Sequence, residues 1–154
     1  RQAVPADAPT IHRFIVELAQ YEKEPDAVKN TVGLLHKQMS QPTPPFRCLI
    51  AENGNQALGF GLYFFTYSTW EGTSTLYLED LYVPPGFRRK GIGQSILSAL
   101  AREAQSEGCS RMEWSVLNWN QLAIDVYEKI GAQAQTDWTG YRITGEALAR
   151  LARH

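Results

Sequence analysis

Three consecutive cations, Arg88, Arg89 and Lys90, run into Gly91-Ile92-Gly93, and two acids, Glu79 and Asp80, stand just upstream of them. The stretch from Leu76 to Gly93 reads as a strand that ends, a turn at Pro84-Pro85-Gly86, and a helix that begins at the glycines. A helix N-terminus presents unpaired backbone N–H groups and partial positive charge, and glycines let a diphosphate approach with no Cβ in the way. Arg88, Arg89 and Lys90 add charge-assisted contacts to the same phosphates. Other phosphate loops do not fit: a Walker loop needs GxxxxGK[ST], and a dinucleotide fingerprint needs a third glycine where this chain has Ile96. Taken without its surroundings, RxxGxG is equally a glycine turn between solvated basic residues.

The elements that must position this loop follow from the periodicities on either side of it. Between Pro5 and Tyr21 the apolar residues Ile11, Phe14, Ile15 and Leu18 recur at helical steps; the chain opens at Arg1, so any strand ahead of this helix is cut short. A shorter helix is expected over Thr31 to Met39, and Gln41-Pro42-Thr43-Pro44-Pro45 then makes a loop. Phe46 to Glu52 and Ala57 to Tyr67 read as strands joined by a hairpin turn at Asn53-Gly54-Asn55, and Thr75 to Val83 as a third strand. After the glycines the period changes, with Ile96, Leu97, Leu100 and Ala104 on one side of a helix that stops near Gly108. Met112 to Leu117 is a further expected strand, and Leu122 to Ile130 a helix ended by Gly131 with Ala123, Val126, Tyr127 and Ile130 on one apolar face. Gln133 to Thr144 has room for two short strands, and Glu146 to Ala152 for a last helical turn or two. The order argues for one α/β domain spanning residues 1–154, a mixed and mostly antiparallel sheet with helices on its faces.

Composition narrows the function classes. Fifteen basic and 16 acidic residues leave a formal charge of -1, so there is no broad positive field to attract nucleic acid. Cys48 and Cys109 fit no CxxC or metal-ligand spacing, and no metal is expected. With 44% hydrophobic residues the chain can bury a core, yet no apolar run approaches the ~20 residues that cross a bilayer. Arg1 to Thr10, with Pro5, Asp7 and Pro9, hold no apolar signal core. The expectation is an untargeted cytoplasmic protein with no membrane partner.

Two segments carry a family resemblance. Arg88 to Gly93 matches [QR]xxGx[GA], motif A of the GNAT superfamily of N-acetyltransferases, and Asn118 to Ala132, with its N…A…Y…GA pattern, resembles motif B of the same superfamily. Tyr21-Glu22, Tyr67-Ser68-Thr69-Trp70, Tyr77-Leu78-Glu79-Asp80 and Trp119-Asn120 fall in the order and approximate spacing of one branch, the diamine (spermidine/spermine) and thialysine N-acetyltransferases. The resemblance implies a GNAT fold, acetyl-CoA as co-substrate, a primary amine as acceptor and a homodimer. It assigns the coenzyme to Leu81, Tyr82, Val83, the loop Arg88 to Gly93 with Gln94, and Asn120, Ala123, Tyr127 and Lys129. The acceptor amine falls to Tyr21, Glu22, Tyr67, Trp70, Glu79 and Asp80.

Amine acetylation needs a deprotonated nitrogen, a polarised thioester carbonyl and a proton for the departing thiolate. A primary amine has a pKa near ~10.4, so a carboxylate must accept its proton, directly or through water. Glu79 is the candidate base and Tyr127 the candidate acid. The plain readings beside them are an edge-strand charge facing solvent for Glu79 and a packed core aromatic for Tyr127. On a regular strand only one of Glu79 and Asp80 points into a site, unless a bulge intervenes. Asn120 doubles as a helix cap. Where polyamine-specific relatives carry an aspartate this chain has Ser68, which turns the expectation toward a lysine-like amino acid, with diamines second. Direct transfer in a ternary complex needs no enzyme nucleophile, consistent with the absence of a triad-like setting around Cys48, Cys109, His12, His36 or His154. The rival readings are a non-catalytic acyl-CoA sensor and a protein lysine or N-terminal acetyltransferase.

Overall fold

The apolar stripe Ile11, Phe14 and Leu18 needs a surface to bury against, and the alternating strands that follow supply it. A computed structural model describes residues 1–153; His154 lies outside the described residues. These form two compact units, the first spanning Arg1–Ser115 and the second beginning at Val116. Strands β1 (Arg47–Asn53), β2 (Gln56–Ser68), β3 (Thr73–Tyr82) and β4 (Arg111–Glu113) make a four-stranded sheet in that order. The first three are antiparallel neighbours, and β4 runs parallel to β3. Arg1 to Ala3 lie antiparallel beside β1, with the Ala3 N–H on the Cys48 carbonyl at 2.8 Å and the Ile50 N–H on the Arg1 carbonyl at 2.9 Å.

Helices cover both faces. On one side α1 (Ala8–Tyr21) and α2 (Val32–Met39) close a core of Ile11, Phe14, Leu35, Cys48, Ile50, Phe60, Leu62 and Tyr82. The other face is taken by α3 (Ile92–Ser106), through Ile96, Leu97, Leu100 and Ala104. That helix comes close because β2 presents Gly61 to it: a Cβ there would stand 2.8 Å from Ile96 Cγ2. Thr31 caps α2, its Oγ1 accepting from the Leu34 N–H at 3.1 Å.

The second unit holds α4 (Gln121–Lys129) and α5 (Gly145–Leu151). Here the structure departs from two expectations. Gln133 to Thr144 contains no strand, since a short β segment is stable only with neighbours to pair with and this unit offers no sheet. The apolar face of α4 is only partly covered: Ala123 and Tyr127 are half-buried, while Val126 and Ile130 remain 46% and 44% exposed. The expected strand from Met112 to Leu117 is trimmed to Arg111–Glu113, where pairing with β3 ends.

Candidate active site

Both acids lie on β3, and the sheet register decides where they point. Leu62 pairs with Asp80 and Tyr63 with Leu78, which leaves Glu79 as the extra residue of a β-bulge. Before the bulge, Leu78 faces α3, within 3.8 Å of the position of a Gly61 Cβ. Past it, Asp80 stands opposite Leu62 and Tyr82 opposite Phe60, both in the core beneath α1. A regular strand would hold Leu78, Asp80 and Tyr82 on one face; the bulge turns the alternation over. Asp80 is thereby aimed toward the end of α1, where Glu22 follows Tyr21.

Three carboxylates gather at this point. Burial first, then the charges of Glu79 and Glu22, pushes the Asp80 carboxyl up to about 6. Burial also raises Glu22. Glu79 is exposed. A half-buried acid flanked by two others attracts a cationic amine, and its raised basicity suits it to holding a proton near neutrality.

The outer edge of β3 is open on the same stretch. β4 pairs only across Thr75, Leu76 and Tyr77, and the Tyr77 hydroxyl reaches Ser115 Oγ at 3.1 Å. Among the described residues no strand lies on that side of β3 beyond Tyr77. Leu81, Tyr82 and Val83 therefore follow an edge with backbone groups available to an extended ligand.

That edge leads into the loop. Pro85–Phe87 form a 3₁₀ turn, and α3 starts from Gly91, which caps it at φ 77°. The first helical bond runs from the Ser95 N–H to the Gly91 carbonyl at 2.9 Å, so the N–H groups of Ile92, Gly93 and Gln94 precede the ladder. A Cβ on Gly93 would meet only Val83 Cγ2, at 4.0 Å. Packing does not demand glycine there, and the space is open to a diphosphate. Arg89 and Lys90 are exposed, Arg89 at a φ of 63° that side chains rarely adopt. Arg88 turns the other way: its Nε donates to the Val83 carbonyl at 2.8 Å and its guanidinium lies 4.8 Å from the Tyr21 ring centre.

In the second unit Asn120 caps α4, its Oδ1 accepting from the Ala123 N–H at 3.3 Å. Ala123 and Tyr127 are half-buried on that helix, and Lys129 sits in its last turn. The remaining acceptor candidates are not brought to the carboxylates within the first unit. Tyr67 and Trp70 lie at the β2–β3 hairpin end, 69% and 84% exposed. Tyr67 pairs with Ser74, five residues and roughly 17 Å along β3 from Glu79. Ser68 is buried and its Oγ accepts from the Glu71 N–H at 3.2 Å, so it also holds that turn. Neither the Glu79 bulge nor the turn of Arg88 toward Tyr21 has a local sequence signal, because each depends on partners far away in the chain.

Comparison with known proteins fits this geometry. Residues 12–132 match the model of the acetyltransferase (GNAT) family. The chain is 42% identical to a thialysine N-epsilon-acetyltransferase of Bos taurus, over 99% of this chain and 95% of that protein. Among solved structures it resembles an integron cassette protein from the mobile metagenome of V. cholerae, with a TM-score of 0.82 at 24% identity over 100% and 96% of the two chains. An aminoglycoside N-acetyltransferase in complex with CoA superposes with a TM-score of 0.73 at 18% identity, covering 93% of this chain and 92% of its own.

Proposed function

Because the chain belongs to the GNAT family of acetyltransferases, we propose that it moves acetyl from acetyl-CoA to the side-chain amine of a lysine-like amino acid such as thialysine, with diamines second. It is an acetyl-transferring enzyme that acts on the amine of a small molecule. One observation carries the reading: the edge of β3 that runs free past Tyr77 leads directly into the Gly91-capped start of α3. Acetyl-CoA supplies the acetyl group as a thioester. Arg89, Lys90 and the N–H groups from Gly91 to Gln94 hold its diphosphate, and the backbone of Leu81, Tyr82 and Val83 aligns its arm and polarises the carbonyl. The family resemblance also assigns Asn120, Ala123, Tyr127 and Lys129 to the coenzyme.

Glu79 takes the proton from the ammonium, directly or through water, and Asp80 and Glu22 hold the positive charge of the acceptor. Tyr21 offers an aromatic face to that cation, while Tyr67 and Trp70, at the far end of the β2–β3 hairpin, belong to the acceptor side by resemblance alone. The Tyr127 hydroxyl gives the proton that the departing sulfur needs. The chain works as one cytoplasmic domain and pairs as a homodimer, as the resembled branch does.

The test is release of free thiol from acetyl-CoA with a panel of amines: thialysine, lysine, ornithine, spermidine, putrescine and a lysine peptide. Turnover highest with the lysine-like amino acids supports the reading. No release with any amine, or preference for the peptide, overturns it.

A further inference from the structure

Arg88 occupies the first position of the loop motif, where a phosphate contact is the simplest expectation. Its side chain does something else. Nε donates to the Val83 carbonyl at 2.8 Å, folding the arginine back across the turn that it follows. The guanidinium then lies over the Tyr21 ring at 4.8 Å and beside the Tyr82 ring at 5.7 Å. The Tyr82 hydroxyl is itself flanked by Arg88 and by Glu17 of α1. Three separated segments meet on this one planar cation: the last turn of α1, the end of β3 and the start of the phosphate loop.

We propose that Arg88 is a positioning residue for the acceptor side, a strut that ties the Val83 carbonyl and the phosphate loop to Tyr21, and so sets where Glu22 stands relative to Asp80. Glu22 is the residue after Tyr21, and its charge reaches Asp80, so a shift of the Tyr21 ring moves one wall of the carboxylate cluster. The inference rests on the acetyltransferase reading only in taking that cluster as the amine site. Planarity matters to it. A guanidinium can donate in its plane to Val83 while stacking on Tyr21, whereas a lysine ammonium has no such plane and no Nε at that reach. A plain phosphate ligand is different, because an ammonium serves a phosphate as a point charge.

The test uses Arg88→Gln and Arg88→Lys in the full chain, with CoA affinity by calorimetry and steady-state constants for acetyl-CoA and for the best amine of the wild-type panel. The expected result is an amine KM raised about tenfold in both variants, the scale of one desolvated cation–π contact, with CoA affinity changed less than about threefold. Adding Arg88→Gln to Tyr21→Leu should raise the amine KM no further than Tyr21→Leu does alone. A tenfold loss of CoA affinity in Arg88→Gln, or restoration of wild-type constants by Arg88→Lys, overturns the proposal; so does an unchanged amine KM. Should Arg88→Gln fail to fold by circular dichroism, Arg88→Lys decides alone. The amine panel on the unaltered protein tests the acetyltransferase reading separately, so the two failures cannot be confused.

Discussion

Leu78 and Asp80 lie two residues apart on β3 and face opposite sides of the sheet, Leu78 toward α3 and Asp80 into the core beneath α1. The bulge at Glu79 causes this inversion, and it is why an acid can sit half-buried beside Glu22 while an aliphatic residue just before it fills the opposite layer. Its consequence is electrostatic. Burial disfavours the charged form of Asp80, and its two acidic neighbours add to the effect.

A carboxyl raised from 3.8 to about 6 in the fold opposes folding once it ionises. Between these values the native state binds more protons than the unfolded chain, so stability falls as pH rises from about 4 to 6. Asp80→Asn should flatten that slope and stabilise the protein at pH 7 by up to about 3 kcal/mol, while weakening amine binding. Urea melts of both proteins at pH 4, 6 and 8 measure it. A wild type whose stability rises steadily over that window would contradict the environment assigned to Asp80.

On the roles proposed for them, Glu79→Gln and Tyr127→Phe each remove one proton-transfer group and leave the shape nearly intact. Each should lower kcat by ~10²–10⁴-fold with CoA affinity nearly unchanged. The pH–rate profiles separate them, since loss of a base removes the acid limb and loss of an acid the alkaline limb. Profiles identical to wild type in both variants would remove both roles.

Much of the fold is legible in the residues themselves. Ile11, Phe14 and Leu18 announce α1, Asn53-Gly54-Asn55 the hairpin, and the shift from alternation to Ile96, Leu97 and Leu100 announces α3. What could not be read is what depends on register and on distant partners. The Glu79 bulge exists because Tyr63 meets Leu78 and Leu62 meets Asp80, a pairing no local pattern encodes. Arg88 reads as one of three equal cations, and its contacts with Val83, Tyr21 and Tyr82 make it differ from Arg89 and Lys90. No strand forms after Gln133 for the converse reason, that a short β-prone run is stable only within a sheet and its own unit holds none.

Two glycines should separate packing from ligand approach. Gly61→Ala drives a methyl to within 2.8 Å of Ile96 Cγ2, and overpacking of this kind costs ~1–3 kcal/mol. Gly93→Ala meets only Val83 Cγ2 at 4.0 Å and should leave stability unchanged or slightly higher, since alanine favours the helix. Its effect should appear in CoA affinity, reduced about tenfold by a methyl where the diphosphate approaches. Melting curves and calorimetric titration of the two variants decide it. If Gly93→Ala binds CoA as wild type does, the diphosphate lies elsewhere.

Arg89 is held at φ 63° and is exposed, so the fold accepts strain at a residue whose side chain it does not bury. A left-handed residue other than glycine stores ~1–2 kcal/mol, and strain of this kind persists where a function requires it. Arg89→Gly should relieve it, offset partly by the greater freedom of glycine in the unfolded chain, for a net change between zero and about 1 kcal/mol of stabilisation. The same variant loses a cation proposed to face the diphosphate. Its CoA affinity should therefore fall, and the dependence of that affinity on salt should be shallower than in the wild type, because one fewer charge pair is screened. Titrations at low and high salt, run beside thermal melts, read both effects. A variant that is less stable yet binds CoA with the wild-type salt slope would mean that Arg89 is kept for the turn and not for the ligand.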